Sequence, residues 1–228
     1  MRRYKALGVA LAAVLALSAL AAQVASASLI TVTGGESGST FYTGDQDSGA
    51  WEFKDAGGLA AKCTTSSIFG SSSGATVSET TWSNTYSGCT GFGFATMHWF
   101  DQGCTYTFTT PTKIKAGEVT WHASDIHIVC PAGKKIEYTP TTFGASVCTR
   151  FLSSQTPAGG HVVGKNVTVG GTEMAVTWEI TLTGLRYTGT GSVCGNSEIH
   201  TDLNWQGNSL IRAYSNGGHS SPRGITFS

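Results

Sequence analysis

Charged side chains are scarce in this sequence. Asp, Glu, Lys and Arg make up 12% of it, about half the roughly 25% of an ordinary soluble chain. No run of basic residues occurs, which excludes the electrostatic footprint that a nucleic-acid partner requires. No Cys-x-x-Cys spacing occurs either, which argues against a zinc ribbon or a thioredoxin-like redox centre. Beyond the first 27 residues there is no long apolar run, so the mature chain is expected to have no membrane span. Nor does any long segment there repeat with the 3.6-residue period of an amphipathic helix. Carboxylates are dispersed singly, so nothing pairs two acids for glycoside hydrolysis. Gly35-Glu36-Ser37-Gly38-Ser39 departs from the nucleophile-elbow pattern Gly-x-Ser-x-Gly at its last position.

What is present begins with an address. Arg2, Arg3 and Lys5 form a basic start, Ala6 to Ala22 is apolar apart from Ser18, and Ala25-Ser26-Ala27 fits a cleavage site. Residues 1–27 therefore read as a secretory signal peptide. They hold three of the 14 basic residues and none of the 14 acidic ones, which leaves the mature part at a formal charge of −3. All six cysteines, Cys63, Cys89, Cys104, Cys130, Cys148 and Cys194, follow the leader. An even count in an exported chain reads as three disulfides.

Cys104–Thr109 and Asp125–Cys130 both alternate with period 2, the strand signature. A turn at Ala116-Gly117-Glu118 pairs Cys104 with Cys130, Tyr106 with Ile128 and Phe108 with Ile126 on one face. Thr105, Thr107 and Thr109 then oppose Val129, His127 and Asp125 on the other. A slip of one residue would destroy that sorting, so the register is specified, and a Cys104–Cys130 bridge follows from it. Cys63 and Cys89 have the same separation of 26 and suggest a second such bridge. Cys148 and Cys194 pair by elimination. A further hairpin is expected at Gly170-Gly171, pairing Val167 with Met174 and Val163 with Trp178. The repeated short strands and turns predict an all-β fold, an antiparallel β-sandwich or related two-sheet arrangement. Residues 28–62 form a poorly patterned N-terminal segment, 63–215 a single all-β domain, and 216–228 a polar tail.

Four sets of residues invite a functional reading. Asp125 and His127, two apart on one strand face, have the spacing of an acid-oriented general base, but equally suit a wet sheet face. Trp51, Trp121 and Trp205 sit among polar neighbours and are the candidates for partial exposure and stacking on a ligand, although core or rim packing is the favoured reading for each. Asp45 and Asp47 open a D-x-D-x-G sequence like a calcium loop, but no acidic residue stands seven after Gly49, and the segment reads as a solvated turn without metal. Asn166-Val167-Thr168 fits a glycosylation sequon that falls within an expected strand. No cofactor is called for.

Tyr86-Ser87-Gly88-Cys89, Gly103-Cys104-Thr105-Tyr106-Thr107-Phe108, Ile128-Val129-Cys130-Pro131-Ala132-Gly133, Cys148 and a late Cys194 together resemble a group of uncharacterised secreted, disulfide-containing β-rich proteins of actinobacteria. The resemblance spans residues 60–195. Its motifs are disulfide and turn residues, so it implies an extracellular or cell-surface scaffold and no activity. The function expected is that of a secreted, non-enzymatic structural or interaction protein, its partner an extracellular ligand such as a glycan or another envelope protein. The alternatives are a glycan-binding module using exposed aromatics and a secreted hydrolase centred on His127 and Asp125.

Overall fold

The computed structural model describes residues 30–33, 40–58, 60–72, 76–77, 79–91, 95–109, 111, 113–146, 148–191, 194, 197–214 and 222–227. Residues 1–27, where a leader is expected, and residues 216–221 and 228 of the expected tail lie outside them. In chain order the strands are β1 (Ile30–Thr33), β2 (Thr40–Gln46), β3 (Trp51–Lys54), β4 (Ala60–Ser72), β5 (Thr76–Val77), β6 (Thr80–Gly91), β7 (Ala95–Phe100), β8 (Thr105–Phe108), β9 (Lys113–Lys115), β10 (Glu118–His122), β11 (Ile126–Val129), β12 (Ile136–Thr142), β13 (Ala145–Ser146), β14 (Thr149–Leu152), β15 (Gly159–Val169), β16 (Glu173–Thr190), β17 (His200–Tyr214) and β18 (Pro222–Thr226). A 3₁₀ turn at Ala123–Asp125 separates β10 from β11. The fold is all-β and antiparallel, with three disulfides.

The central hairpin has the register that its alternation dictates. Phe108 opposes Ile126, Thr107 opposes His127, Tyr106 opposes Ile128 and Thr105 opposes Val129. Cys104 and Cys130 are bonded, their Cα atoms 4.0 Å apart. Cys63–Cys89 bridges the opposed strands β4 and β6 in the same way, and Cys148–Cys194 is the third bond.

The β15–β16 hairpin corrects the expected register by one residue. Val167 faces Ala175, Gly164 faces Trp178 and Val163 faces Glu179. The loop takes three residues, Gly170, Gly171 and Thr172, closed by the Thr172 amide on the Val169 carbonyl. The longer loop turns Val162 and Gly164 inward and Val163 away from Trp178.

The pairings close on themselves. β4 joins β6, β6 joins β7, β7 joins β12, and β12 joins β14. β14 then joins β16, β16 joins β17, β17 joins β3, and β3 returns to β4. At the other end β2 lies between β17 and β4, while β8 with β11 and β15 with β10 extend the wall. A closed circuit hides the backbone edges that an open sheet would present and gives each strand an inward and an outward set of side chains. Segments that looked poorly patterned or tail-like belong to this wall. β2 and β3 lie within 28–62, and β18 within 216–228 pairs with β1 and β17. Their partners' inward residues supply the apolar contrast that their own sequences lack.

Aromatic rings fill the inside in two groups. Trp51, Phe53, Tyr86, Trp99, Tyr106, Tyr138 and Trp205 make one, with Phe53 and Trp205 stacked at 5.9 Å. Tyr42, Trp82, Phe108, Trp121, Trp178 and Phe227 make the other, centred on Trp178.

One bulge decides which residues of β16 face out. Trp178, Ile180 and Leu182 are buried, and then the phase changes so that Leu185 and Tyr187 are buried and Arg186 is exposed. The register to β17 shifts between Leu182 and Leu185, where Gly184 has a φ of +68°. Glycine takes that conformation without the penalty that a Cβ brings.

Candidate functional site

The residues singled out in the sequence are placed as follows. Asp125 turns its carboxylate back to the His122 amide at 2.9 Å, holding the 3₁₀ turn. His127 instead bonds Thr156, Nδ1 to Oγ1 at 2.8 Å. The 3₁₀ turn between the strands thus engages the acid locally. Asp45 and Asp47 flank a turn tied by Asn208, which accepts from the Ser48 amide at 3.2 Å and donates to the Ser48 hydroxyl at 2.9 Å. Among the described residues no three His, Cys, Asp or Glu side chains group as a metal site.

Trp51, Trp121 and Trp205 are 0, 1 and 3% exposed, so all three pack in the core and none is placed to stack on a ligand. Their polar sequence neighbours take the outward positions of each strand and leave the indoles inside. Trp121 donates its Nε1 hydrogen to the Thr109 carbonyl at 2.8 Å. Trp99 is the half-buried indole. It stacks inward on Tyr138 at 5.5 Å and lines a shallow depression with Phe100, Asp101 and Gln102.

The outer wall beside Trp99 carries the most distinctive surface. Phe100 on β7 opposes Glu137 on β12, Glu137 opposes Phe151 on β14, and Phe151 opposes Thr188 on β16. Directly paired residues share a face, so these four form one row across four strands. Strand spacing places the two phenyl groups about 10 Å apart. Phe100 is 53% exposed, and the Glu137 carboxylate between the rings accepts from Gln102 Nε2 at 3.1 Å.

The row ends in a recess of about 230 Å³. Phe151, Tyr187 and Ile199 are its apolar lining; Ser153, Ser154, Gln155, Arg186 and Thr188 are its polar lining. Its walls are tied down. The Gln155 side chain accepts from the Arg186 amide at 2.6 Å and donates to the Arg186 carbonyl at 2.8 Å. Ser154 Oγ accepts from the Cys130 amide at 2.9 Å, and the His127 bond to Thr156 holds the next turn of chain.

Beneath the recess lies a buried polar cluster. Arg150 Nη2 donates to Asp55 Oδ2 at 2.6 Å, and both side chains are almost fully buried. Arg150 Nη1 donates to the Tyr138 hydroxyl at 3.4 Å. The guanidinium lies 4.7 Å from the Tyr187 ring centroid, and His200 stacks on the same ring at 4.8 Å. Burial pushes the Tyr138 phenol well above its ordinary 10, against the opposing pull of Arg150. Tyr187 is raised in the same sense by burial. Asp202 accepts from the Ala56 amide at 3.0 Å, which fastens the chain after β3 to β17.

The lining of the recess holds two aromatic rings, an aliphatic side chain, hydroxyls, a carboxamide and a guanidinium, and no His, Asp, Glu or Cys. That set suits recognition: rings offer a stacking face, and the polar groups offer directed hydrogen bonds. Phe100, Phe151, Arg186 and Ile199 carry no motif in the sequence. Only the strand pairing brings them together, although Phe151 within a short expected strand was a discernible signal. No helix among the described residues is long and apolar enough to cross a membrane. Comparison with protein-family models, with curated proteins and with solved structures finds no match to this chain.

Proposed function

We propose that this protein is exported and works outside the cell as a non-enzymatic interaction module, and that the outer face of β7, β12, β14 and β16 is its contact surface for a glycan. The observation that carries this reading is the row Phe100–Glu137–Phe151–Thr188 running into the recess. Two phenyl faces about two strand spacings apart, with a carboxylate between them, match alternate rings of an extended sugar chain, whose apolar C–H faces stack on aromatics while its hydroxyls bond polar groups. The leader and the three disulfides support an extracellular setting. A closed wall with a filled interior keeps the surface rigid, so little ordering is lost on binding.

The test is retention of the secreted chain on a panel of immobilised polysaccharides, with Phe100→Ala/Phe151→Ala alongside. Binding to at least one polymer, weakened about tenfold in the double variant, is expected. Binding that is indifferent to both substitutions would refute the assigned surface. A hydrolase reading centred on His127 would instead require polymer cleavage that disappears in His127→Ala.

A further inference from the structure

We infer that the recess selects an acidic sugar, with Arg186 receiving its carboxylate while Phe151 stacks on the same ring. This rests on the glycan reading above and names the class of glycan.

The electrostatics of the recess differ from those of the chain. The mature part is net negative, yet none of the residues lining the recess is acidic. Arg186 is exposed there, and no hydrogen bond or ion pair among the described residues engages its guanidinium. A second cation is close, since Lys135 Nζ lies 5.6 Å from the Phe151 ring centroid. The buried Arg150 behind Tyr187 adds little to this field because Asp55 neutralises it at 2.6 Å. The nearby acids are Glu137, which accepts from Gln102, Asp202 on β17, which accepts from the Ala56 amide, and the exposed Glu198 next to Ile199.

Geometry adds to charge. The bulge at Gly184 turns Arg186 outward, and the paired Gln155 bonds fix its backbone. The root of the guanidinium is therefore set before any ligand arrives. A guanidinium fork accepts a planar carboxylate through two parallel hydrogen bonds. In a uronic acid residue the carboxylate projects from the ring itself, so one ring can stack on Phe151 and present its acid to Arg186. A phosphodiester lies between sugar rings and cannot do both from one residue. A volume of about 230 Å³ is below that of a drug-sized pocket and suits a single sugar ring.

The experiment compares the affinity of the secreted chain for polygalacturonate, its methyl-esterified form, and poly(glycerol phosphate). The acid is expected to bind about tenfold tighter than the ester, with the preference shrinking as salt rises. Arg186→Gln should erase most of that preference by weakening the acid about tenfold more than the ester, and Lys135→Gln should reduce it partially. Both side chains are exposed, so an unchanged thermal midpoint verifies the fold. Equal affinity for acid and ester would overturn the inference and leave the glycan reading standing. An acid preference that survives Arg186→Gln would overturn the site, and tighter binding of the phosphodiester would overturn the carboxylate. If neither these polymers nor any neutral glycan binds, the glycan reading itself fails.

Discussion

Asp55 and Arg150 stand 95 positions apart and neither belongs to any motif, yet they form a buried ion pair that ties the chain just after β3 to β14. At this scale a single side chain is judged by what its removal leaves behind. Asp55→Ala leaves a guanidinium buried without its counter-charge, and breaking such a pair costs about 3–5 kcal/mol. Replacing both partners, as in Asp55→Leu/Arg150→Met, removes the unpaired charge together with the pair and should cost distinctly less. Urea unfolding of the two variants checks this; equal losses would mean that the pair's packing, not its charge, is what matters. The same reasoning explains why Trp51, Trp121 and Trp205 mislead in one dimension. A tryptophan between polar neighbours has the local appearance of an exposed residue, but in a strand those neighbours are the ones that face away.

At the scale of elements, legibility follows the contrast between the two faces. β8 and β11 put Tyr106, Phe108, Ile126 and Ile128 on one side and Thr105, Thr107, His127 and Val129 on the other, so their register could be read directly. In β15 the apolar residues Val162 and Val163 are adjacent, both registers bring apolar groups together, and the loop length decides between them. Long strands also need places without side chains. Gly207 on β17 faces inward opposite Ile180, and a Cβ there would overlap the Trp51 indole. Gly207→Ala is therefore expected to destabilise by about 1–3 kcal/mol through overpacking and to alter the near-ultraviolet dichroism of the tryptophans. Unchanged stability and an unchanged spectrum would show that Trp51 can move aside without cost.

Across the whole molecule, the closure of the wall was the least legible feature, because it depends on strands from distant parts of the chain and from segments with little pattern of their own. The end of the chain illustrates this. Residues 216–228 read as a polar tail, but β18 pairs with both β1 and β17, and Phe227 beyond it is 2% exposed. The phenyl ring packs on Trp121 at 5.7 Å and occupies the space where a side chain at Gly164 would sit. Asn166, the first residue of the apparent sequon, holds the Phe227 backbone from both sides: its Oδ1 accepts from the amide at 2.7 Å, and its Nδ2 donates to the carbonyl at 3.1 Å. The last strand is thus a plug against the second aromatic group. Phe227→Ala should destabilise by about 3–5 kcal/mol, and truncation after residue 221 should cost at least as much because it also removes the β18 pairings. Asn166→Ala keeps the ring but frees its backbone, so its loss should be smaller, about 1–3 kcal/mol for the buried groups left unpaired. Denaturant midpoints for the three variants, measured with disulfides intact, test the order. If truncation after 221 left stability unchanged, the tail would be dispensable and the interior would have to be sealed by β10, β15 and β16 alone.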